Sequence, residues 1–337
     1  MKGAMSSAIS TQIQLVRRPD GWPVAEDFRT ASVEYGDPAA GEIRVENAFL
    51  SVDPYMRGRM NDVKSYTPPF ALGETMTGGA VGRVTVSDDP DFPVGSAVLH
   101  QLGWRDIVQA ESSQFRVVPG VPLSLRLGIL GMTGLTAYVG LTAIAHMKEG
   151  DTVFVSGAAG AVGSAAGQIA RLLGATSVVG SAGSAEKVAL LTEKYGYDSA
   201  FDYHSGPVRE QLAEAAPDGI DVYFDNVGGD HLEAALDAFR DGGRAALCGA
   251  IAGYNSTEKT AGPDNMANVI TRGLTLRGFT LSGYLDHAPE FNRLMSGWFA
   301  EGEIAYDETI VEGIDHAVDA FLSMMRGGNT GKMIVRL

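Results

Sequence analysis

The chain has 337 residues, with 26 Lys and Arg against 41 Asp and Glu for a net charge of −15, 43 Gly and a single cysteine, Cys248. That length suggests two domains, each able to bury its own core, and 45% hydrophobic residues without a repeat period exclude a disordered or collagen-like chain. One cysteine forbids an intrachain disulfide and any zinc site with two or more thiolates, so a cytoplasmic setting is expected. The acidic balance, with no basic cluster, argues against nucleic acid or an anionic membrane as partner.

Taken in order, the first ten residues, MKGAMSSAIS, lack the apolar core of a secretory signal, and Met5 suggests an extended start; they are left out of the fold reading. Short β-like runs follow at Glu42 to Ala48, Gly79 to Val86, Ala97 to Leu99 and Gln114 to Val118, separated by Pro and Gly turns. They predict a mostly β, barrel-like domain. Two uncharged stretches, Gly128 to Met147 and Thr152 to Ala170, are long enough to cross a membrane. Their Gly, Ala, Ser and Thr content, interrupted by His146 and Gln168, fits buried soluble segments better.

From Asp151 onward strands alternate with helices. Strands are expected at Thr152 to Ser156, Ser177 to Gly180, Ala200 to Tyr203, Ile220 to Phe224, Arg244 to Leu247 and Leu274 to Phe279. Helices are expected at Val162 to Leu173, Ala185 to Tyr195, Val208 to Ala216 and His231 to Arg240. This pattern means right-handed crossovers and a Rossmann-type, doubly wound parallel sheet. Phe291, Leu294, Met295, Trp298 and Phe299 then mark an amphipathic helix, and a helix at Ala317 to Met325 leads into a last strand, Lys332 to Leu337.

Between the first of these strands and its helix lies AAGAVG, with Gly160, Ala161, Val162 and Gly163. Small residues there let backbone N–H groups approach a pyrophosphate at a helix N-terminus. No G-K-[ST] follows, which excludes a phosphate-loop NTPase. An NAD site would carry a carboxylate about 20 residues on, where this chain reads Gly180-Ser181-Ala182-Gly183-Ser184-Ala185-Glu186-Lys187. Lys187 is expected to pair with a 2′-phosphate, which makes the cofactor NADP(H); the competing reading puts Glu186 on the ribose and Lys187 in solvent. The six histidines are scattered, so no convergent zinc ligand set is expected.

The segments LSVDPYMRGRM (Leu50 to Met60), GMTGLTAY (Gly131 to Tyr138), AAGAVG, DVYFDNVGG (Asp221 to Gly229), CGAIAGYN (Cys248 to Asn255) and GNTGKMIV (Gly328 to Val335) resemble the zinc-independent medium-chain dehydrogenase/reductases. Within these the nearest group is the leukotriene B4 12-hydroxydehydrogenase, prostaglandin reductase and alkenal double-bond reductase family. Gly73-Glu74 stands where zinc-dependent relatives have Gly-His-Glu, and Ser51-Val52-Asp53 where they place a Cys ligand.

The resemblance implies a GroES-like barrel domain at residues 1–128 and 305–337, a Rossmann domain at 129–304, and a homodimer in which the sixth strand of the Rossmann sheet is a paired edge. It also implies NADPH-dependent reduction of the C=C bond of α,β-unsaturated aldehydes and ketones. Hydride reaches the β carbon, an enolate forms on the carbonyl oxygen, and a proton goes to the α carbon. Tyr254 is the first candidate to stabilise that oxyanion and Tyr55 the second; each has the alternative of a structural phenol capping a loop.

For the cofactor, the resemblance implies Gly160 to Gly163 at the pyrophosphate, with Lys187 and Tyr203 at the 2′-phosphate and Gly180 and Gly183 at the adenosine ribose. Asn226, the stretch Cys248, Gly249, Ala250, Ile251 and Tyr254, and Phe279, Thr280 and Leu281 lie along the ribose and nicotinamide, and Asn329 comes from the C-terminal return. Cys248 is either a redox thiol or a small apolar residue. The loop Asn255 to Ala267 is expected to border the substrate. A quinone reductase of the same fold, or a nucleotide-binding protein without turnover, remains the alternative.

Overall fold

The chain enters its first sheet earlier than its apolar pattern suggests. Strand β1 (Ala8–Leu15) pairs antiparallel with β2 (Phe28–Tyr35), and it buries Ser10 and Gln12 as well as Ile13 and Leu15. The two polar groups are satisfied: Ser10 Oγ donates to the Ile107 carbonyl at 2.7 Å, and Gln12 Nε2 donates to Ser10 Oγ at 3.1 Å. A strand can therefore be buried here without the alternation that would reveal it, and Ala8 to Ser10, omitted from the sequence reading of the fold, belong to it. The computed structural model describes residues 7–118, 120, 122–259 and 261–337. By contact the chain divides into two units, Met1–Leu127 with Glu308–Leu337, and Gly128–Asp307.

The first unit continues through β3 (Glu42–Ser51), the short helix α1 (Tyr55–Arg59), β4 (Ala80–Val86), β5 (Ala97–His100), β6 (Ile107–Glu111) and β7 (Arg116–Val117). Ile43, Val45, Val84, Val98 and Val108 from these strands form one buried cluster with Phe115, which directly precedes β7. His100 is buried among them. Its Nε2 lies 2.8 Å from Asn47 Oδ1 and its Nδ1 accepts from the Leu102 N–H at 3.1 Å. Burial pushes its pKa down to about 3, so this imidazole is a neutral structural group.

The second unit opens with α2 (Met132–Val139), which runs into a π-helical turn at Gly140–Ile144. It then alternates β8 (Thr152–Val155), α3 (Ala161–Leu172), β9 (Ser177–Ala182), α4 (Ala185–Glu193), β10 (Ser199–Asp202), α5 (Val208–Ala215), β11 (Ile220–Asp225) and α6 (Gly229–Ala238). β12 (Phe239–Leu247), α7 (Ala267–Thr271), β13 (Thr275–Gly278) and α8 (Ala288–Ala300) complete it. The strands pair in parallel in the order β10-β9-β8-β11-β12-β13, the Rossmann order, with the chain reversing direction across the sheet between β8 and β11. On one face Phe154 stacks between Phe201 and Tyr223, with centroids 5.9 and 5.0 Å away. No helix among the described residues is long and apolar enough to cross a membrane.

The chain then returns to the first unit as β14 (Glu308–Glu312), α9 (Ala317–Met325) and β15 (Lys332–Arg336). β15 pairs antiparallel with β3 and parallel with β14, closing the order β14-β15-β3-β4-β5-β7 with β6 also on β3.

One further expectation is corrected. The helix expected to reach Arg240 ends at Ala238, because Phe239 pairs with Ile220 in β12 and buries its ring in the core beneath the parallel sheet. Gly180, at the end of the sheet where the adenosine ribose is expected, makes room for Tyr197: a Cβ there would lie 2.8 Å from the ring. A Cβ at Gly167 of α3 would be driven into the same ring. Tyr197 is buried in this notch, and its hydroxyl donates to the Gly163 carbonyl at 2.8 Å. The glycines thus bring α3 against β9 with one phenol wedged between them.

Gly167→Ala is expected to lower unfolding free energy by roughly 1–3 kcal/mol, the usual range for overpacking. In a denaturant double-mutant cycle, Tyr197→Leu should recover part of that loss; strict additivity of the two changes would contradict the wedge.

Candidate active site

Adjacent strands β8, β11 and β12 each end in a turn at the same edge of the sheet. Ser156 to Gly160 follows β8, Asn226 to Gly228 follows β11, and Cys248 to Tyr254 follows β12. The first turn closes with Gly157 at φ +58°, and Gly160 opens α3 with no side-chain cap. The first amides of that helix therefore keep their donors for an anion, which the helix dipole also favours. A side chain at Gly163 would collide with the Gly157 carbonyl, so the tight turn is a property of the backbone. The flanking position between β8 and β11 is where open parallel sheets bind dinucleotides.

Asp225, at the end of β11, holds these turns together. Its Oδ1 accepts from Tyr223 Oη at 2.7 Å, Ser156 Oγ at 3.2 Å, and the N–H groups of Val227 and Gly228 at 2.9 and 2.7 Å. Its main-chain carbonyl accepts from the Cys248 and Gly249 N–H groups, both at 2.9 Å. Asn226 completes the link: its N–H donates to Ser156 Oγ at 3.0 Å and its Nδ2 to the Ser156 carbonyl at 2.8 Å. The buried carboxylate thereby ties the ends of β8 and β11, and the carbonyl of the same residue ties in the end of β12. Burial still raises its pKa despite the donors around it. Asp225, Ser156 and Tyr223 were not singled out from the sequence; an Asp ending a strand before Asn-x-Gly-Gly is the available signal, since Asp accepts from amides two and three residues on.

The second and third turns pack through small residues. A Cβ at Gly228, whose φ is +72°, would meet Ala250 at 3.3 Å, and one at Gly249 would meet the Asn226 carbonyl at 3.0 Å. Tyr254 folds back over this turn, its hydroxyl 3.4 Å from the Ala250 N–H. Burial, chiefly, raises its pKa. The phenol accepts from Ala250 and keeps its own proton to donate. Cys248 beside it is pushed up to about 12 by burial and by Asp225, so it is a neutral thiol at ordinary pH rather than a reactive thiolate. Ile251 lies in a short 3-10 turn, and Phe279, Thr280 and Leu281 leave the end of β13, with Phe279 edge-on to Tyr284 at 6.4 Å. Thr260, within the expected substrate loop, lies outside the described residues.

At the ends of β9 and β10 the sheet presents a different chemistry. No carboxylate ends β9. Ser184 caps α4, its Oγ accepting from the Lys187 N–H at 3.3 Å. Burial lowers the pKa of the Lys187 ammonium, a penalty that an anion beside it would relieve. Tyr203 sets its hydroxyl over Gly183, where a Cβ would be 2.8 Å away. Glu186, the alternative ribose ligand, is exposed on α4. The donor set therefore fits a phosphorylated ribose better than a bare one.

Tyr55 and Asn329 belong to the β-rich unit. Tyr55 begins α1, and its hydroxyl is hydrogen-bonded to Arg59; burial, with Asp53 adding to it, raises its pKa. Arg59 is itself held by the Thr77 carbonyl and Oγ1, both at 3.0 Å, and lies 4.0 Å over the Phe70 ring. Asn329 donates to the Gly331 carbonyl at 2.8 Å. The DPYMR and GNTGK segments are joined by a buried ion pair, Lys332 Nζ to Asp53 Oδ1 at 2.8 Å, with a second bond to the Val52 carbonyl at 2.8 Å. Among the described residues no three His, Cys, Asp or Glu side chains group to hold a metal ion.

Asp225→Ala removes the shared acceptor and should cost roughly 1–3 kcal/mol for each buried donor left unpaired, and should weaken dinucleotide binding at least tenfold. Cys248→Ala should leave both within error. Denaturation midpoints and cofactor titration check this, and a stable, tight-binding Asp225→Ala would show that the turns do not depend on the carboxylate.

Comparison with known proteins agrees with this architecture. The family model described as the N-terminal domain of oxidoreductase matches residues 11–118, and that described as zinc-binding dehydrogenase matches 161–298. The chain is 41% identical to the NADPH-dependent curcumin reductase of Escherichia coli, covering 96% of this chain and 95% of that one. It is 39% identical to the NADP-dependent 2-alkenal reductase of Nicotiana tabacum, covering 96% of each. The crystal structure of CurA from Vibrio vulnificus in complex with NADPH superposes with a TM-score of 0.92 at 40% identity, covering 97% of this chain and 98% of that one. With this likeness over nearly its full length, and with these strand-end turns, the chain belongs to the zinc-independent medium-chain dehydrogenase/reductase family, in the group of the alkenal and prostaglandin reductases.

Proposed function

We propose that this protein reduces the C=C bond of α,β-unsaturated aldehydes and ketones with NADPH. The reading is carried by identities of 41% and 39% to a curcumin reductase and a 2-alkenal reductase over 96% of the chain. The uncapped α3 terminus and the Ser184 and Lys187 pair at the end of β9 support NADP(H) as the cofactor. We assign most of the cofactor contacts to the unit Gly128–Asp307 and substrate selection to the unit Met1–Leu127 with Glu308–Leu337.

Bound NADPH supplies the hydride; the protein must manage the charge that then grows on the carbonyl oxygen. Tyr254 is proposed to donate its O–H to that oxygen. The Ala250 N–H engages the phenol as an acceptor and leaves its proton aimed elsewhere, and the raised pKa keeps it protonated at neutral pH. Tyr55, polarised by Arg59, is proposed as a second donor on the substrate side. Gly160 to Gly163, Lys187, Tyr203, Asn226, the Cys248–Ile251 backbone, Phe279 to Leu281 and Asn329 are proposed to bind the cofactor.

Two finer features follow as proposals. The edge strand β13, with Ile270 85% exposed and Leu285 and Met266 exposed near it in sequence, supports a homodimer that pairs this edge. A chain with a single cysteine suits the cytoplasm.

Tyr254→Phe should lower kcat roughly 10²- to 10³-fold, as removal of one oxyanion donor does, with NADPH affinity unchanged; full kcat would remove Tyr254 from the mechanism. Following NADPH loss with an alkenal, an enone and a quinone in parallel should show turnover with the first two. Turnover of the quinone alone would favour a quinone reductase, and tight NADPH binding without any turnover a non-catalytic role. Light scattering at micromolar concentration should give twice the chain mass, and a monomer would contradict the edge pairing.

A further inference from the structure

His204 plays no part in the reading above, yet the fold brings it to the adenosine end of the sheet. Its main-chain N–H donates to Asp202 Oδ1 at 2.9 Å, fixing the turn after β10. Its Nδ1 lies 3.2 Å from the Gly183 carbonyl. A carbonyl only accepts, so Nδ1 carries a proton and donates. The ring lies 4.2 Å from that of Tyr203, whose hydroxyl sits over the same Gly183. The side chain remains 65% exposed. Gly183 thus lies beneath two rings, one from each residue of the Tyr203-His204 pair, and directly precedes the Ser184 cap of α4, whose first turn carries Lys187.

Resting on the assignment of NADP(H) as cofactor, we infer that His204 is a specificity-determining residue, a second cation for the 2′-phosphate that acts through Nε2. With Nδ1 committed to Gly183, the opposite ring nitrogen is the one left to meet a ligand. While only Nδ1 carries a proton Nε2 is an acceptor, so binding of the 2′-phosphate dianion takes up one proton from solvent; the ring then donates Nε2–H to a phosphate oxygen and adds a charge to that of Lys187. Asp202 Oδ1 lies 3.5 Å from Nδ1; α4, which starts two residues after Gly183, carries Glu186 and Lys187; and His231 on α6, which burial keeps neutral by lowering its pKa to about 4, packs edge-on against Tyr203 at 5.4 Å. Asp202 and Glu186 are both anionic. A single ammonium facing them would be a weak selector for a dianion, whereas Lys187 and His204 together offset them. A cofactor lacking the 2′-phosphate gains nothing from His204.

The test measures binding, not turnover. Dissociation constants of NADPH, NADH, 2′,5′-ADP and 5′-AMP are compared by titration calorimetry in the wild type, His204→Ala, His204→Lys and Lys187→Ala. His204 is exposed, so its variants should fold normally, which thermal denaturation verifies. Loss of one charge-assisted hydrogen bond should weaken NADPH and 2′,5′-ADP about tenfold in His204→Ala, with NADH and 5′-AMP changed less than twofold. His204→Lys should retain the preference. Unchanged NADPH affinity in His204→Ala, or an equal loss for NADH, would overturn the assignment. A wild type that binds NADH as tightly as NADPH would instead overturn the cofactor reading, whatever the variants do.

Discussion

The site depends first on one carboxylate oxygen. Asp225 Oδ1 gathers two hydroxyls and two backbone amides, while the carbonyl of the same residue receives two amides from the neighbouring strand end. Burying a charge is costly unless donors replace its water, and here the replacements come from the turns after β8 and β11 and from Tyr223. The same bonds that stabilise the carboxylate fix where those turns stand. A loop with this many shared partners cannot shift alone, so the positions of Gly160, Asn226 and Cys248 are coupled through Asp225.

Close backbone approach is the second constraint. Recognition of a pyrophosphate by amide groups requires a helix N-terminus with no side chain in the way, and Gly157, Gly160 and Gly163 provide it. Tyr197 then supports that helix from behind, seated between Gly167 and Gly180 and bonded to the Gly163 carbonyl. Glycine therefore serves two physical ends here. Some of it opens the edge of the sheet to a ligand, and some admits an aromatic ring between a helix and a strand. A comparable use of small residues, Gly228 and Gly249 against Ala250 and the Asn226 carbonyl, packs the turns after β11 and β12 together.

The parallel sheet was legible in the sequence because its strands are short apolar runs separated by helices of regular period, both of which are local signals. The β1 and β2 hairpin was not, because Ser10 and Gln12 take inward positions and are satisfied by partners far along the chain, Ile107 and Thr75 respectively. The end of α6 was misplaced for a related reason. Phe239 continues the apolar helical pattern, and only its pairing with Ile220 makes it the first residue of a strand. Within the candidate site, AAGAVG and DNVGG could be read as turns from their small residues, but the side chains that secure them could not. Ser156 and Tyr223 are unremarkable in sequence, and the hydrogen bonds of Ser156 with Tyr223 and Asp225 join residues almost seventy positions apart.

The sequence by itself determined the succession of elements, the small-residue turn between a strand and a helix, the absence of a carboxylate at the end of β9, and the single thiol. These depend on composition and short-range spacing, which survive without a fold. Only the tertiary structure decided what each polar side chain does. It set Asp53 against Lys332, Tyr203 and His204 around Gly183, and the Tyr254 hydroxyl over its own turn. Hydrogen bonds act over about 3 Å, and no spacing along the chain reports which distant groups the packing of a sheet will bring within that reach.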